Sequence, residues 1–197
     1  MIELPEWPAP NGMTPALIDF GLTLDGALGG PDQRVDRPGS RFRIELTFPP
    51  MHADQSRVFV SRLLRAKSEG LRVPFPLLDI EQGSPGSPVV DGGGQAGTQL
   101  AVRGVRANYR WREGYWLSIA AADGQHYLHN VAENGAADGN GGGSIAIWPP
   151  LREAFSDGAK VHLAKPMLEG LPEGDETSWQ VPVNKLIALS VMVREMA

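Results

Sequence analysis

Residues 41–48 read RFRIELTF, and apolar and polar side chains alternate through the whole stretch. Successive side chains of a β-strand point to opposite faces of its sheet, so this alternation predicts a strand with one face in a core and the other in water. The same period of two occurs upstream in residues 17–24 and again in residues 179–193. We interpret residues 179–193 as a long strand that is broken near Asn184-Lys185. Because a single strand cannot bury its own face, we expect the two ends of the chain to build one sheet.

A helix is predicted over residues 54–69. Val60, Leu63 and Leu64 recur there at the spacing of one helix face. We expect Asp54 to cap the first free N–H groups of this helix and Gly70 to end it. The following residues, 71–78, read as a strand whose prolines suit an edge position.

The middle of the chain has a different texture, which begins with the linker-like run GSPGSP at residues 83–88. Five short segments with a period of two follow: Gln99–Arg103, Tyr115–Ala120, Gln125–Val131, Ser144–Trp148 and Lys160–Ala164. Short strands separated by turn signals predict a small five-stranded barrel of OB or SH3-like kind. The whole pattern predicts a mainly β fold: a β-sandwich of residues 1–82 plus 166–197, flanked by one α-helix, with the barrel inserted as residues 83–165.

The composition excludes several classes of protein. The 197 residues include no cysteine, so a disulfide scaffold, a thiolate zinc site and a cysteine nucleophile are excluded. There is no run of 18 apolar residues, and the first residues lack the basic and apolar regions of a signal peptide, so we expect no membrane partner. A formal charge of −5 argues against broad non-specific binding to nucleic acid.

Candidates for a metal or cofactor site are weak. His126 and His129 are three residues apart on a predicted strand and would point to opposite faces, so we interpret them as surface histidines. A calcium loop that starts at Asp138 would need an acidic residue where Pro149 stands, so we predict a turn there. The glycine-rich residues 91–97 lead into a predicted strand, whereas a phosphate-binding loop would lead into a helix. The sequence also lacks a G-x-S-x-G motif, and we expect no enzyme activity, metal or cofactor.

The aromatic residues of the middle region suggest a binding surface. Trp116 and Trp148 are out of phase with the apolar residues beside them, and Trp111 belongs to the same aromatic cluster. We therefore take Trp111, Trp116 and Trp148 as candidate contacts for a protein partner or a glycan. A small barrel with aromatic residues on both faces explains the same pattern.

The order of the elements, and several strand and turn patterns, resemble virion proteins of tailed phages. The patterns are VDGGGQAG at residues 90–97, YWLSI at 115–119, QHYLH at 125–129, ADGNG at 137–141, SIAIWPPLR at 144–152 and DGAKV at 157–161. The overall architecture and size resemble the distal tail protein family of siphophages, in which a tail-tube-like β-sandwich carries a second domain.

The resemblance implies a structural role at the tail tip of the virion. A homo-oligomeric, hexameric ring would join the tail tube to the hub and receptor-binding proteins, with DNA only as passing cargo in its lumen, after assembly in the host cytoplasm. The family has no catalytic residues. A tail-tube or connector subunit, a carbohydrate-binding module and a small hydrolase are the alternatives.

Overall fold

The structure is a computed structural model that describes residues 1–26, 29–37, 39–183 and 185–196. Strands dominate the described residues, and the prediction of a mainly β fold is confirmed. The elements are, in chain order, β1 (Ile2–Glu3), β2 (Gly12–Ile18), β3 (Leu22–Leu24), β4 (Gln33–Val35), β5 (Arg41–Met51), α1 (Ala53–Glu69), β6 (Leu71–Pro74), β7 (Gly86–Val90), β8 (Gly97–Val105), β9 (Arg110–Trp111), β10 (Trp116–Ala120), β11 (His126–Val131), β12 (Gly135–Ala136), β13 (Gly143–Leu151), β14 (Val161–His162), β15 (Met167–Pro172) and β16 (Ile187–Glu195).

The first sheet has six strands in the order β1-β6-β15-β16-β5-β2. Its strands come from both ends of the chain, and its longest pairing joins β5 to β16 in antiparallel register, from Arg43 opposite Arg194 to Met51 opposite Ile187. The predicted alternation in residues 41–48 is confirmed, because Phe42, Ile44, Leu46 and Phe48 are all buried. This sheet therefore presents one continuous apolar face to a core.

Helix α1 covers this core and buries Phe59, Leu63 and Ala66. The predicted N-cap was wrong: the cap residue is His52, and Asp54 lies inside the first turn, 3.5 Å from Arg57. A first-turn aspartate still interacts favourably with the helix dipole. The end of the helix is as predicted, since Gly70 has φ of 78°, a conformation that glycine adopts without strain.

The second sheet has six strands in the order β14-β10-β11-β13-β8-β7. A bridge between Val89 and Lys160 brings its two edges together, so the sheet is a nearly closed barrel, which we call the barrel. The five predicted segments correspond to β8, β10, β11, β13 and β14. The sixth strand, β7, was not predicted, because its first residues belong to the linker-like run at 83–88. Its Val90 is fully buried, and proline is tolerated in a strand at the margin of a sheet.

Three stretches differ from the prediction. Residues 17–24 are not one half-buried strand, because β2 ends at Ile18 and β3 lies in a separate two-stranded sheet. β6 lies one position inside the edge rather than at it. Because β1 pairs only with Leu71 and Arg72, Pro74 still has no strand on that side, which is where a proline is tolerated. β16 begins at Ile187 rather than at residue 179, and Val183 is fully exposed. The N–H of Lys185 donates to the carbonyl of Pro182 in a turn before the strand, and Asn184 lies outside the described residues.

The two sheets pack on each other through aromatic side chains. The Trp116 ring of β10 lies 5.0 Å from Phe42 and 4.5 Å from Phe75, measured between ring centroids. Leu128 of β11 belongs to the same core as the first sheet. Among the described residues, no helix combines the length and apolar character needed to cross a bilayer.

Candidate functional site

The three tryptophans singled out in the sequence do not form one platform. Trp111 is 3% exposed and packs in the barrel core, so the expectation that it faces a partner is corrected. Its ring needs the space left by Gly143, where an added Cβ would approach the ring to 2.7 Å. Trp116 is held between the sheets, and Trp148 is the exposed one of the three, at 38%.

His126 and His129 are both buried, so the prediction that they lie on the surface was wrong. Strand β11 has a core on each face, because Leu128 belongs to the first core while Tyr127 and Val131 belong to the barrel core. Sequence reasoning assumed that one face of this strand was in water.

The surroundings of His129 favour the neutral imidazole over the doubly protonated, charged form. Its Nδ1 is 2.8 Å from the carbonyl oxygen of Pro149, and since a carbonyl only accepts, Nδ1 carries the hydrogen. Its buried Nε2 has no hydrogen-bond partner among the described residues. Burial, with the Arg152 guanidinium nearby, lowers the pKa of His129 to about 3.

Buried His126 packs against His162, which is partly exposed. Its ring centroid is 4.9 Å from that of His162, and its Nδ1 is 3.4 Å from the Ser118 hydroxyl. Burial is the main cause that lowers the pKa of His126 to about 4, and the nearby His162 and Arg72 lower it further. The described residues contain no group of three or more side chains placed to hold a metal ion.

A buried carboxylate ties the two sheets together. Glu195 at the end of β16 accepts hydrogen bonds from the backbone N–H of Phe42 at 2.7 Å and from that of Leu128 at 2.8 Å. Arg152 donates to the same carboxylate at 2.9 Å, and the side chains of both residues are 5% exposed or less. Burial raises the pKa of Glu195, while Arg152 and the two N–H groups oppose that shift.

Sequence reasoning missed this junction, although a signal was present. Glu195 continues the odd-numbered positions that form the buried face of β16. A charged residue in phase with a core face points to a buried ionic contact, because an unpaired charge there would be costly.

Arg72 is a second polar link between the first sheet and the barrel. Arg72 donates to Glu169 Oε2 at 2.6 Å and to the carbonyl of Gly124 at 2.6 Å, so it joins β6 to the turn before β11. Gln82 accepts from the N–H of Trp116 at 2.6 Å and donates to its carbonyl at 2.7 Å. The Arg72 contacts therefore join the first sheet to the barrel, whereas Gln82 holds the segment between β6 and β7 against β10.

The predicted turn at Asp138 is confirmed. The Asp138 Oδ1 accepts hydrogen bonds from the backbone N–H groups of Asn140 and Gly142, both at 2.8 Å. These bonds lower the pKa of Asp138 by stabilising its charged form. The carboxylate is therefore used to shape the loop itself.

The surface outside these cores has unusual apolar features. Strands β3 and β4 form a separate two-stranded sheet, which we call the hairpin. Leu22 and Leu24 on β3 are 44% and 46% exposed, and Phe20 just before it is 43% exposed. A two-stranded sheet by itself is marginally stable in water, and these exposed apolar groups make the hairpin a candidate contact surface.

A second apolar surface lies on the outer side of α1. We call it the helix groove; it has a volume of about 620 Å³. Its apolar lining includes Val60, Leu64, Trp179 and Ile187. Leu64 is 49% exposed and Trp179 is 41% exposed.

The edges of the first sheet are a third feature. β2, seven residues long, ends the strand order on one side and has no neighbour beyond it in the part of the chain that the structure describes. The opposite edge consists of the two-residue β1. Unpaired edges present backbone donors and acceptors to other chains.

Comparison with known proteins identifies no family for this chain. No protein family model matches the chain, and no curated protein matches it.

Proposed function

We propose that this protein is a structural subunit that assembles with copies of itself into a ring, and that the ring belongs to the tail tip of a tailed phage. The observation that carries the assembly is the open edge of the first sheet at β2. Ring closure would pair that edge with a neighbouring copy and remove it from solvent. The exposed apolar hairpin and helix groove add surface for further contacts.

The phage assignment rests on the resemblance of the strand and turn patterns to distal tail proteins. The first sheet draws on both ends of the chain, has a helix on one face, and packs against a barrel formed by the middle of the chain. This arrangement suits a ring subunit with a second lobe. In this role the ring would connect the tail tube to the hub, and the passing DNA would be its cargo.

The assembly is tested by a change at the open edge. Thr14 is exposed on β2, and a lysine on an edge strand discourages strand pairing. Thr14→Lys should lower the fraction of oligomer at micromolar concentration at least tenfold, as measured by mass photometry. Thr47→Lys is the matched control, because Thr47 is exposed on the neighbouring β5 inside the sheet.

Equal oligomer fractions in the two variants would contradict assembly through β2.

The phage role has its own test. Antibodies against the chain should label the tail tips of phage particles induced from a host that encodes it, and particles that contain none of the chain would refute that role.

A further inference from the structure

We propose that the hairpin of one copy docks in the helix groove of the next copy, so that the occupant of the groove is a second copy of this chain. The inference deepens the proposed assembly and rests on it, since both require contacts between copies. It assigns a partner and a direction to two surfaces that edge pairing alone leaves unexplained.

The hairpin has one apolar face. Side chains two residues apart on a strand lie on the same face, so Leu22 and Leu24 project together. Val35 is directly opposite Leu22 in the antiparallel register and extends that face across to β4. None of these three residues belongs to either hydrophobic core of the described chain.

The base of the hairpin is held in place before any partner binds. Asp19 accepts hydrogen bonds from the N–H of Gly21 at 2.8 Å and from the hydroxyl of Ser40 at 3.2 Å, and it pairs with Arg34. The Arg41 guanidinium lies 5.1 Å from the centroid of the Phe20 ring. A hairpin fixed at its base loses less conformational entropy on docking.

The helix groove is complementary in chemistry. Val60 and Leu64 are four residues apart on one face of α1, and Trp179 adds an aromatic ring to the lining. Arg57 and Arg65 also line the groove, with side chains that are 75% and 61% exposed.

The formal charges of the two surfaces are opposite. Residues 19–36 contain four aspartates and one arginine, whereas α1 contains three arginines and one lysine against one aspartate and one glutamate. Arg57 and Arg65 pair within the helix with Asp54 and Glu69. Such exposed pairs contribute little, so these arginines remain able to interact with an acidic partner.

The two surfaces lie at opposite ends of the same strand. The hairpin adjoins the start of β5, where Arg41 pairs with Ile18, and the groove adjoins its end, where Met51 pairs with Ile187. At about 3.4 Å per residue, an 11-residue strand separates them by roughly 35 Å. The hairpin therefore reaches the groove of a different copy, in a head-to-tail contact that closes into a ring or continues into a stack.

Cysteine cross-linking tests this contact directly, because the natural chain contains no cysteine. Leu24→Cys and Leu64→Cys would be made as separate full-length variants, one of them tagged, and mixed under mild oxidation. Both positions are exposed, so both variants should fold. We expect a disulfide-linked heterodimer that forms at least tenfold faster than in the control mixture of Leu24→Cys with Glu113→Cys, where Glu113 is an exposed residue of the barrel.

Charge reversal gives a second readout. Adding Arg65→Glu to the Leu64→Cys variant should slow heterodimer formation severalfold, whereas adding Arg112→Glu, at an exposed barrel position, should not. Equal cross-linking rates in the test and control mixtures would overturn the docking of the hairpin in the groove. That result would leave assembly through β2 standing, because the Thr14→Lys comparison measures it separately.

Discussion

At the scale of single residues, the interior contains charged and hydrogen-bonding side chains that the sequence pattern predicts only in part. Glu195 could have been predicted as buried from its phase in β16, but its partners could not, because Phe42, Leu128 and Arg152 come from distant parts of the chain. His129 was expected on the surface because an alternating strand does not show that a second core covers its other face.

The buried carboxylate should be essential for stability. In Glu195→Gln the side chain keeps its size but loses one acceptor and its charge, which leaves Arg152 buried without its ionic partner. We expect the free energy of unfolding to fall by about 3–5 kcal/mol in urea denaturation. Glu69→Gln, which breaks the exposed pair with Arg65, should cost less than about 0.5 kcal/mol. Similar losses in the two variants would contradict the role of the junction.

Stability should also depend on pH through the buried histidines. Burial lowers the pKa values of His126 and His129 to about 4 and about 3, below the value near 6.5 in an unfolded chain. The unfolded state therefore binds more protons, so the stability is fully present above pH 6.5 and is lost as the pH falls toward 4. Each histidine contributes a slope of about 1.4 kcal/mol per pH unit in that window.

Replacing one of these histidines should reduce that slope. The pH dependence of the unfolding free energy should be shallower in His129→Gln by about one proton, even though the variant is less stable overall. His52→Gln is the control, because His52 is exposed. An unchanged slope in His129→Gln would mean that this imidazole is protonated in the folded protein.

At the scale of elements, the predictable parts are those whose pattern follows from one buried face. β5 and α1 have such patterns, and both lie where the sequence predicts them. β7 was missed because Gly86 and Pro88 resemble a linker, and the strand exists only because β8 and the bridge to Lys160 pair with it. The groove and the hairpin could not be predicted, since a sequence pattern does not show which apolar side chains remain uncovered.

The packing of α1 on the first sheet should make a measurable contribution to the free energy of unfolding. Phe59 is 1% exposed and its ring centroid lies 5.1 Å from that of Phe48. Phe59→Ala should lower the unfolding free energy by about 3–5 kcal/mol, because it leaves a cavity under the helix. Val58→Ala, one position away and 38% exposed, should change it by less than about 1 kcal/mol. Chemical denaturation measures both, and equal effects would contradict the burial assigned to this helix face.

At the scale of the whole molecule, two cores are joined by Trp116, Glu195 and Arg72, and the three features that we assign to assembly lie on the first sheet and beside it. β2 ends that sheet, the hairpin extends from the strand end next to Arg41, and the helix groove adjoins the opposite end. A subunit with an open edge and two complementary surfaces at opposite ends is suited to repeated assembly with copies of itself.

Negative-stain electron microscopy of the purified full-length chain at micromolar concentration tests this assembly most directly. We predict closed rings of uniform diameter, with one barrel per subunit in each ring. Single particles of monomer size at every concentration and salt condition would contradict the proposal that this chain is a ring subunit.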